Sequence, residues 1–221
     1  MALKVKDRAK PKLPPVEPGV YLAVCVGVID LGEQYSEKFK NYRNEVQFVW
    51  ELAGETVEVD GEQKPRQLSR TFSVAASKKS NLRGFLGGWN GVQYSDEQFQ
   101  DLDLFGQAGR PCQLNVVLND TGEYANVDSV IPLPKGMPAP QAVSPTILWN
   151  MDEWSDEKFS ALPDWVQEKD QKSLLNIRRT TPQRTRSIFP YRRPGPRGMG
   201  GARFEVYPPG KLQSWERIPF G

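Results

Sequence analysis

The sequence predicts an all-β domain with a short helical insertion, and three observations support this fold class. Runs rich in β-branched and aromatic residues alternate with polar positions, Gly- and Asn-containing turns separate these runs, and one stretch changes to helical spacing. The composition agrees, because 221 residues with 38% hydrophobic and 25% charged side chains fit a globular protein with a single core.

The predicted strands are runs of β-forming residues bounded by turn residues, and they cover 19–29, 45–52, 68–75, 111–118 and 124–131. Gly27 lies in the middle of the first run and suits a bulge or a sharp bend. In the second run, Phe48 and Trp50 recur with period two and are expected to share the buried face. The same alternation turns Phe72 and Val74 inward in the third run.

The connections between these strands are polar. Residues 33–41 are predicted to form a loop, and residues 53–66 a long hairpin tip around Asp60 and Gly61. Between the third and fourth strands the pattern becomes helical, with apolar residues at Leu82, Phe85, Leu86 and Trp89. Ser95 and Gln98 stand at capping-box spacing and predict a second helical turn. Three strands, a helix and a closing hairpin are the connectivity of the five-stranded OB barrel.

Composition divides the chain into four predicted regions: an arm rich in basic residues and proline at 1–18, the OB-fold domain at 19–135, a proline-rich and then acidic-aromatic extension at 136–170, and a basic tail at 171–221. The tail holds eleven Lys and Arg residues against two Glu residues, so the preceding body is mildly acidic. Such a body binds phosphate only through a local groove. The tail is either a disordered segment that adds phosphate contacts or a segment without a function.

Several classes of chemistry are excluded or disfavoured. The chain has no histidine, which excludes His-based triads, and its two cysteines cannot fill a zinc site. Cys25 and Cys112 lie in apolar runs and are expected to be buried. We therefore expect no catalytic residue, no metal, no cofactor and no enzyme. A basic start followed by prolines, with no membrane-length apolar run, predicts a cytoplasmic protein that contacts no membrane.

An ordered set of motifs resembles a known family. These motifs are 21–25 with 28–32, 80–83 before Trp-Asn-Gly at 89–91, 94–99, 104–106 with 109–112, 132–136 and 162–169. Together they resemble the phage and prophage OB-fold single-stranded DNA-binding proteins, over roughly residues 15–173. The resemblance implies sequence-tolerant binding of single strands in phage DNA replication and recombination, without catalysis or a cofactor. The Arg-, Pro- and Gly-rich end after Lys169 departs from the family.

The predicted nucleic-acid-binding residues are rings and cations placed around the groove of such a barrel, which the loops between strands one and two and between strands four and five flank. They are Tyr35, Lys38, Phe39, Lys40, Tyr42 and Arg43 in the first loop, Arg70 on the third strand, and Lys78, Lys79 and Arg83 at the start of the helix. Rings stack on bases and cations neutralise phosphates.

Alternatives remain open for most of these residues. The rings of the first loop either stack on bases or form a small core under the barrel mouth. Arg70 either contacts phosphate or pairs with Glu45 or Glu51, and the cations at the helix start either bind DNA or belong to a solvated face. Residues 149–169 either pack back on the barrel or dock a replication or recombination protein or a second copy on DNA. The rival function is an OB-fold protein-interaction or virion structural module.

Overall fold

The computed structural model describes residues 13–37, 39–59, 61–171 and Ser173. The chain divides into two units, Met1–Pro182 and Gln183–Gly221, and every described residue belongs to the first. Lys38, most of the predicted N-terminal arm and the predicted basic tail, apart from residues 171 and 173, lie outside the described residues.

In the described part of the chain, six strands form one mostly antiparallel sheet: β1 Gly19–Ser36, β2 Asn41–Val59, β3 Glu62–Ser73, β4 Pro111–Leu118, β5 Ala125–Ile131 and β6 Ile147–Trp149. The strand order is β3-β2-β1-β4-β5, and β6 pairs with β1 in parallel. β3 and β5 are therefore the two edges, and within the described residues no backbone pairing between them closes the sheet. The predicted all-β class is confirmed.

Four short helices accompany the sheet within the described residues: α1 Asn81–Asn90, α2 Asp96–Gln100, α3 Asp156–Ser160 and α4 Asp164–Asp170. Single 3-10 turns lie at Phe105–Gln107 and Met151–Glu153. The predicted capping box is confirmed, because the Ser95 hydroxyl accepts from the Gln98 N–H and the Gln98 side chain accepts from the Ser95 N–H. No helix in the described part of the chain is both long and apolar enough to cross a membrane.

The first connection differs from its prediction. Residues 33–41 are not a loop, because β1 continues to Ser36 and β2 already begins at Asn41. Glu33 faces Asn44 and Tyr35 faces Tyr42 in the antiparallel register. Since neither face of this two-stranded ribbon is buried, no apolar alternation marks it as strand in the sequence.

The bulge predicted at Gly27 is present, since the pairing of β1 with β2 shifts register between Cys25 and Gly27. A Cβ atom at Gly27 would lie 3.0 Å from the Cβ of Val49, so the glycine allows β2 to approach closely. Val74 corrects another prediction. It follows the end of β3 and is exposed rather than inward.

The main core lies between the sheet and α1, and it is aromatic. The Trp50 and Trp89 rings are 5.7 Å apart, and the Phe72 and Phe85 rings are 4.6 Å apart. Both tryptophans are buried, as their core-pattern positions predict. Cys25 is fully buried as well, and burial raises the pKa of its thiol to about 12, so it is not a nucleophile at neutral pH.

The segment after β5 covers the opposite face of β1 and β2. There, a second apolar cluster is formed by Val26, Ile29, Leu31 and Val49 with Trp149, Met151, Leu162 and Val166. Residues 149–169 therefore pack back on the sheet, which is the first of the two alternatives considered for this segment.

Glu51 fastens this covering segment to β2. Its buried carboxylate accepts hydrogen bonds from the backbone N–H groups of Val143 at 2.7 Å and Ser144 at 2.8 Å. Burial alone raises the pKa of Glu51, but hydrogen bonds from Ser144 and Val143 outweigh burial and lower that pKa below its ordinary value. A carboxyl group with a lowered folded-state pKa stabilises the fold above its unfolded-state pKa.

We expect Glu51→Gln to lower the free energy of unfolding at pH 7 by about 1–3 kcal/mol, because a neutral amide replaces the charged acceptor. Urea denaturation at several pH values measures this difference. The difference in free energy of unfolding between the parent protein and Glu51→Gln should shrink as the pH falls from 4.5, the ordinary pKa of a Glu side chain, through the lowered pKa of Glu51. The exposed Glu55 serves as the control, and Glu55→Gln should change stability by less than about 0.5 kcal/mol. A deficit in Glu51→Gln that is the same at every pH would contradict the assignment.

Candidate functional site

Five of the predicted binding residues meet at the end of the ribbon formed by β1 and β2. We call this group the hairpin tip, and it consists of Tyr35, Phe39, Lys40, Tyr42 and Arg43. The residues Tyr35, Phe39 and Tyr42 are 46%, 54% and 53% exposed. The alternative that these rings form a small core is therefore wrong.

The hairpin tip carries rings on both faces of the ribbon. Tyr35 and Tyr42 are direct cross-strand partners, and their ring centroids lie 5.1 Å apart with planes inclined by 58°. Arg43, the next residue on β2, points to the other face, because side chains alternate along a strand. Its guanidinium carbon lies 3.9 Å from the centroid of the Phe39 ring. Each face therefore offers an aromatic surface, and one of them includes a cation.

Weak polar contacts hold the cations of the hairpin tip. Lys40 Nζ lies 2.9 Å from a carboxylate oxygen of Glu37, and both side chains are mostly exposed. Arg43 Nε donates to the Asn41 side-chain oxygen at 3.1 Å. Exposed ion pairs contribute little free energy, so Lys40 exchanges Glu37 for another anion at small cost.

Arg70 does not pair with Glu45 or Glu51. Its guanidinium Nη1 donates to the carbonyl oxygens of Val127, at 2.7 Å, and Asp128, so this side chain links edge strand β3 to edge strand β5. The guanidinium carbon also lies 4.9 Å from the centroid of the Phe72 ring. Burial lowers the pKa of Arg70, and the nearby Asp128 carboxylate opposes this shift.

Two of the three cations predicted near the helix start meet at Asp96. Arg83 Nη1 lies 2.6 Å from one Asp96 oxygen, and the Arg83 side chain is only 12% exposed. Arg83 also donates to the Tyr94 carbonyl oxygen. Lys78 Nζ lies 3.3 Å from the other Asp96 oxygen. These contacts link the start of α2 to α1 and the residues before it. Lys79, the third of these cations, is exposed. None of these contacts involves the hairpin tip.

Two residues on α4 that were not predicted as site residues reach β2 or the depression beside it. Lys169 Nζ donates to the side-chain oxygen of Gln47 on β2 at 2.9 Å. Trp165 is 38% exposed. It lines a shallow depression of about 190 Å³ together with Val49, Gln67, Leu68 and Ser69. A spacing of four residues places Trp165 and Lys169 on one helix face. The sequence near α4 does not predict which strand this face contacts.

The chain matches no protein-family model, no curated protein and no solved structure with which it was compared.

Proposed function

We propose that this protein binds single-stranded DNA without sequence preference, through the hairpin tip. The observation that carries the proposal is that three half-exposed rings share one turn with two cations. Stacking of a base on such a ring contributes about 1–3 kcal/mol and tolerates every base. The cations supply the contacts to phosphate.

We also propose that the sheet is a five-stranded OB barrel. The strand order β3-β2-β1-β4-β5 and the position of α1 between β3 and β4 support this fold. The bridge from Arg70 to the carbonyl oxygens of β5 supports it further, because it draws the two edges together. The OB fold is a partly open barrel, and the connection between its first two strands flanks the binding groove. That connection is the ribbon that ends in the hairpin tip.

The biological part of the proposal depends on the sequence resemblance described above. The protein then protects and organises single strands during phage DNA replication and recombination, without catalysis. The rival is an OB-fold module that binds proteins or builds the virion, and it has no affinity for DNA.

Fluorescence anisotropy of the full chain with a labelled oligonucleotide of about 30 bases separates these functions. We expect micromolar or tighter binding of the single strand, weaker binding of the matching duplex, and loss of affinity as salt rises. Absence of binding at low salt would overturn the proposal and favour the rival.

A second prediction concerns the cations of the hairpin tip and the salt dependence of DNA binding. Each phosphate contact on a single strand contributes about 0.7 to the slope of log K against log salt, so Lys40→Gln with Arg43→Gln should reduce that slope by about 1.4. Anisotropy titrations at four salt concentrations measure it. Lys64 provides a matched control, because it is exposed and pairs with Glu62 at 3.3 Å in the hairpin between β2 and β3. Lys64→Gln should leave the slope unchanged, and an equal effect of both changes would point to bulk charge instead.

A further inference from the structure

An open depression lies where the ribbon of β1 and β2 leaves the sheet, beside Gly32 and Asn44. Its volume is about 400 Å³. Apolar side chains and three carboxyl groups line it together, and the carboxyl groups are those of Asp30, Asp103 and Asp152. We call it the acidic depression.

The apolar part of the acidic depression begins at the main core and ends in solvent. Val28 and Val46, which line it, are buried members of the main core. Val74 lines it as well, but it is 45% exposed. Covering such an apolar wall is favourable, because it removes hydrocarbon surface from water.

The carboxyl groups of the acidic depression are not neutralised by the surrounding residues. Asp30 accepts hydrogen bonds from the backbone N–H groups of Gly32 at 2.9 Å and Met151 at 3.3 Å. Burial raises the pKa of Asp30, these two hydrogen bonds oppose the rise, and the charge of Asp152 adds to it. No lysine or arginine in the described part of the chain forms an ion pair with Asp30, Asp103 or Asp152. The acidic depression therefore favours an apolar ligand that also carries positive charge.

The chain itself arrives at the acidic depression after α4. The Gln34 side chain donates to the Lys169 carbonyl oxygen at 3.3 Å, so the end of α4 is held beside β1. Ser173, the last described residue, is fully buried. A Cβ atom at Gly32 would lie only 2.6 Å from the Ser173 hydroxyl oxygen, and Gly32 lines the acidic depression. The residues that follow Ser173 in the sequence therefore start beside it.

These next residues have the chemistry that the acidic depression favours. Residues 174–179 read Leu-Leu-Asn-Ile-Arg-Arg, which is three apolar side chains followed by two cations. They belong to the same unit of the chain as the sheet, Met1–Pro182. Six residues reach up to about 20 Å when extended, so chain length does not limit contact with a depression that begins at Gly32.

We propose that residues 174–179 of this chain dock in the acidic depression, with their apolar side chains against its wall and their two arginines at its carboxylates. An arginine guanidinium suits this position, because it donates two parallel hydrogen bonds to a carboxylate. The inference does not depend on DNA binding. It goes beyond the proposed function, because it gives the first part of the predicted basic tail an anchoring site on the folded domain.

Hydrogen exchange of the full chain, followed by mass spectrometry, tests the docking. We expect the amides of residues 174–179 to exchange at least about tenfold more slowly than those of an unstructured peptide of the same sequence. The protection should not depend on protein concentration, because the contact is within one chain. An unprotected segment would overturn the inference. Protection that increases with protein concentration would overturn it too, since a second copy would then supply the segment.

Asp103→Asn combined with Asp152→Asn tests the charges. Both side chains are exposed, and an amide oxygen at position 103 still accepts the Phe105 N–H, which Asp103 accepts at 2.9 Å. Exchange at residues 174–179 should become about 2- to 30-fold faster, the range expected for the loss of two exposed ion pairs. Glu58→Gln combined with Asp120→Asn removes two other exposed carboxylates and should leave this exchange unchanged. An equal effect of both pairs of changes would contradict docking at the acidic depression.

Serine at positions 174, 175 and 177 together tests the apolar contact. This variant should exchange in that segment within about threefold of an unstructured peptide of its own sequence, because little apolar surface is left to bury. Ile188→Ser combined with Phe189→Ser is the control, and it should keep the protection of the parent protein. Full protection in the triple serine variant would overturn the inference. If melting temperatures show that this variant does not fold, the change at Asp103 and Asp152 decides, since it replaces only exposed carboxylates.

Discussion

Replacing Tyr35, Phe39 and Tyr42 together with alanine is expected to weaken binding of a single-stranded oligonucleotide at least about tenfold, because each lost base stack contributes about 1–3 kcal/mol. The melting temperature should hardly change. All three rings are about half exposed, and the contact between Tyr35 and Tyr42 is one cross-strand pair, worth about 0.2–1 kcal/mol. Anisotropy titration and thermal denaturation of the same preparation measure both effects.

A ring-preserving variant provides the control for this experiment. Tyr35→Phe combined with Tyr42→Phe removes two hydroxyl groups and keeps both π-faces, so its affinity should stay within about twofold of the parent protein. A large fall in melting temperature for the triple alanine variant would show that the rings stabilise the fold. Unchanged affinity in that variant would remove the hairpin tip from the binding surface.

The parts of the fold that were predictable have a local sequence signal. Phe48 and Trp50 recur with period two because both point into the core between α1 and the sheet. Burial of the opposite face of β2, with Val49, under the segment after β5 left no such signal. The capping box at Ser95 was predictable for the same kind of reason, since its two hydrogen bonds join residues three positions apart.

The parts that were not predictable depend on contacts between distant residues. Lys169 and Gln47 are 122 positions apart, and nothing local to α4 names β2 as its neighbour. β6 has three residues and pairs with the middle of β1, and so short a strand has no period to detect. The prediction that residues 33–41 form a loop failed for a different reason, since a strand exposed on both faces has the composition of a loop.

Arg70 lies between these cases. Its position in the inward pattern of β3 predicted that the charge needs a partner, because an unpaired buried charge is costly. The expected partners were a phosphate group or the carboxylates of Glu45 or Glu51, but the observed ones are the carbonyl oxygens of Val127 and Asp128. Backbone carbonyl groups occur at every residue, so they leave no trace in a sequence. The need for a partner was therefore predictable, and its identity was not.

Arg70→Met is expected to lower the free energy of unfolding by about 2–4 kcal/mol. The change removes hydrogen bonds from a charged donor to two β5 carbonyl groups and a cation–π contact. Their full values, about 1.5–3 kcal/mol per bond and about 0.5–1 kcal/mol for the cation–π contact, are reduced because Arg70 is only half-buried. Urea denaturation measures the loss. Lys79→Met removes an exposed cation and should change stability by less than about 0.5 kcal/mol.

Arg70→Met and Arg70→Lys together distinguish the two roles considered for Arg70, a link between β3 and β5 and a contact to phosphate. If this side chain joins β3 to β5, Arg70→Lys recovers part of the lost stability, because an ammonium group still donates, although without the fork of the guanidinium. The DNA affinity of Arg70→Met and of Arg70→Lys, measured under conditions in which both variants are fully folded, should then stay within about threefold of the affinity of the parent protein, because no contact to phosphate is lost. Full stability together with a large loss of affinity would instead make Arg70 a phosphate contact, and the proposed barrel would lose the interaction that draws its edges together.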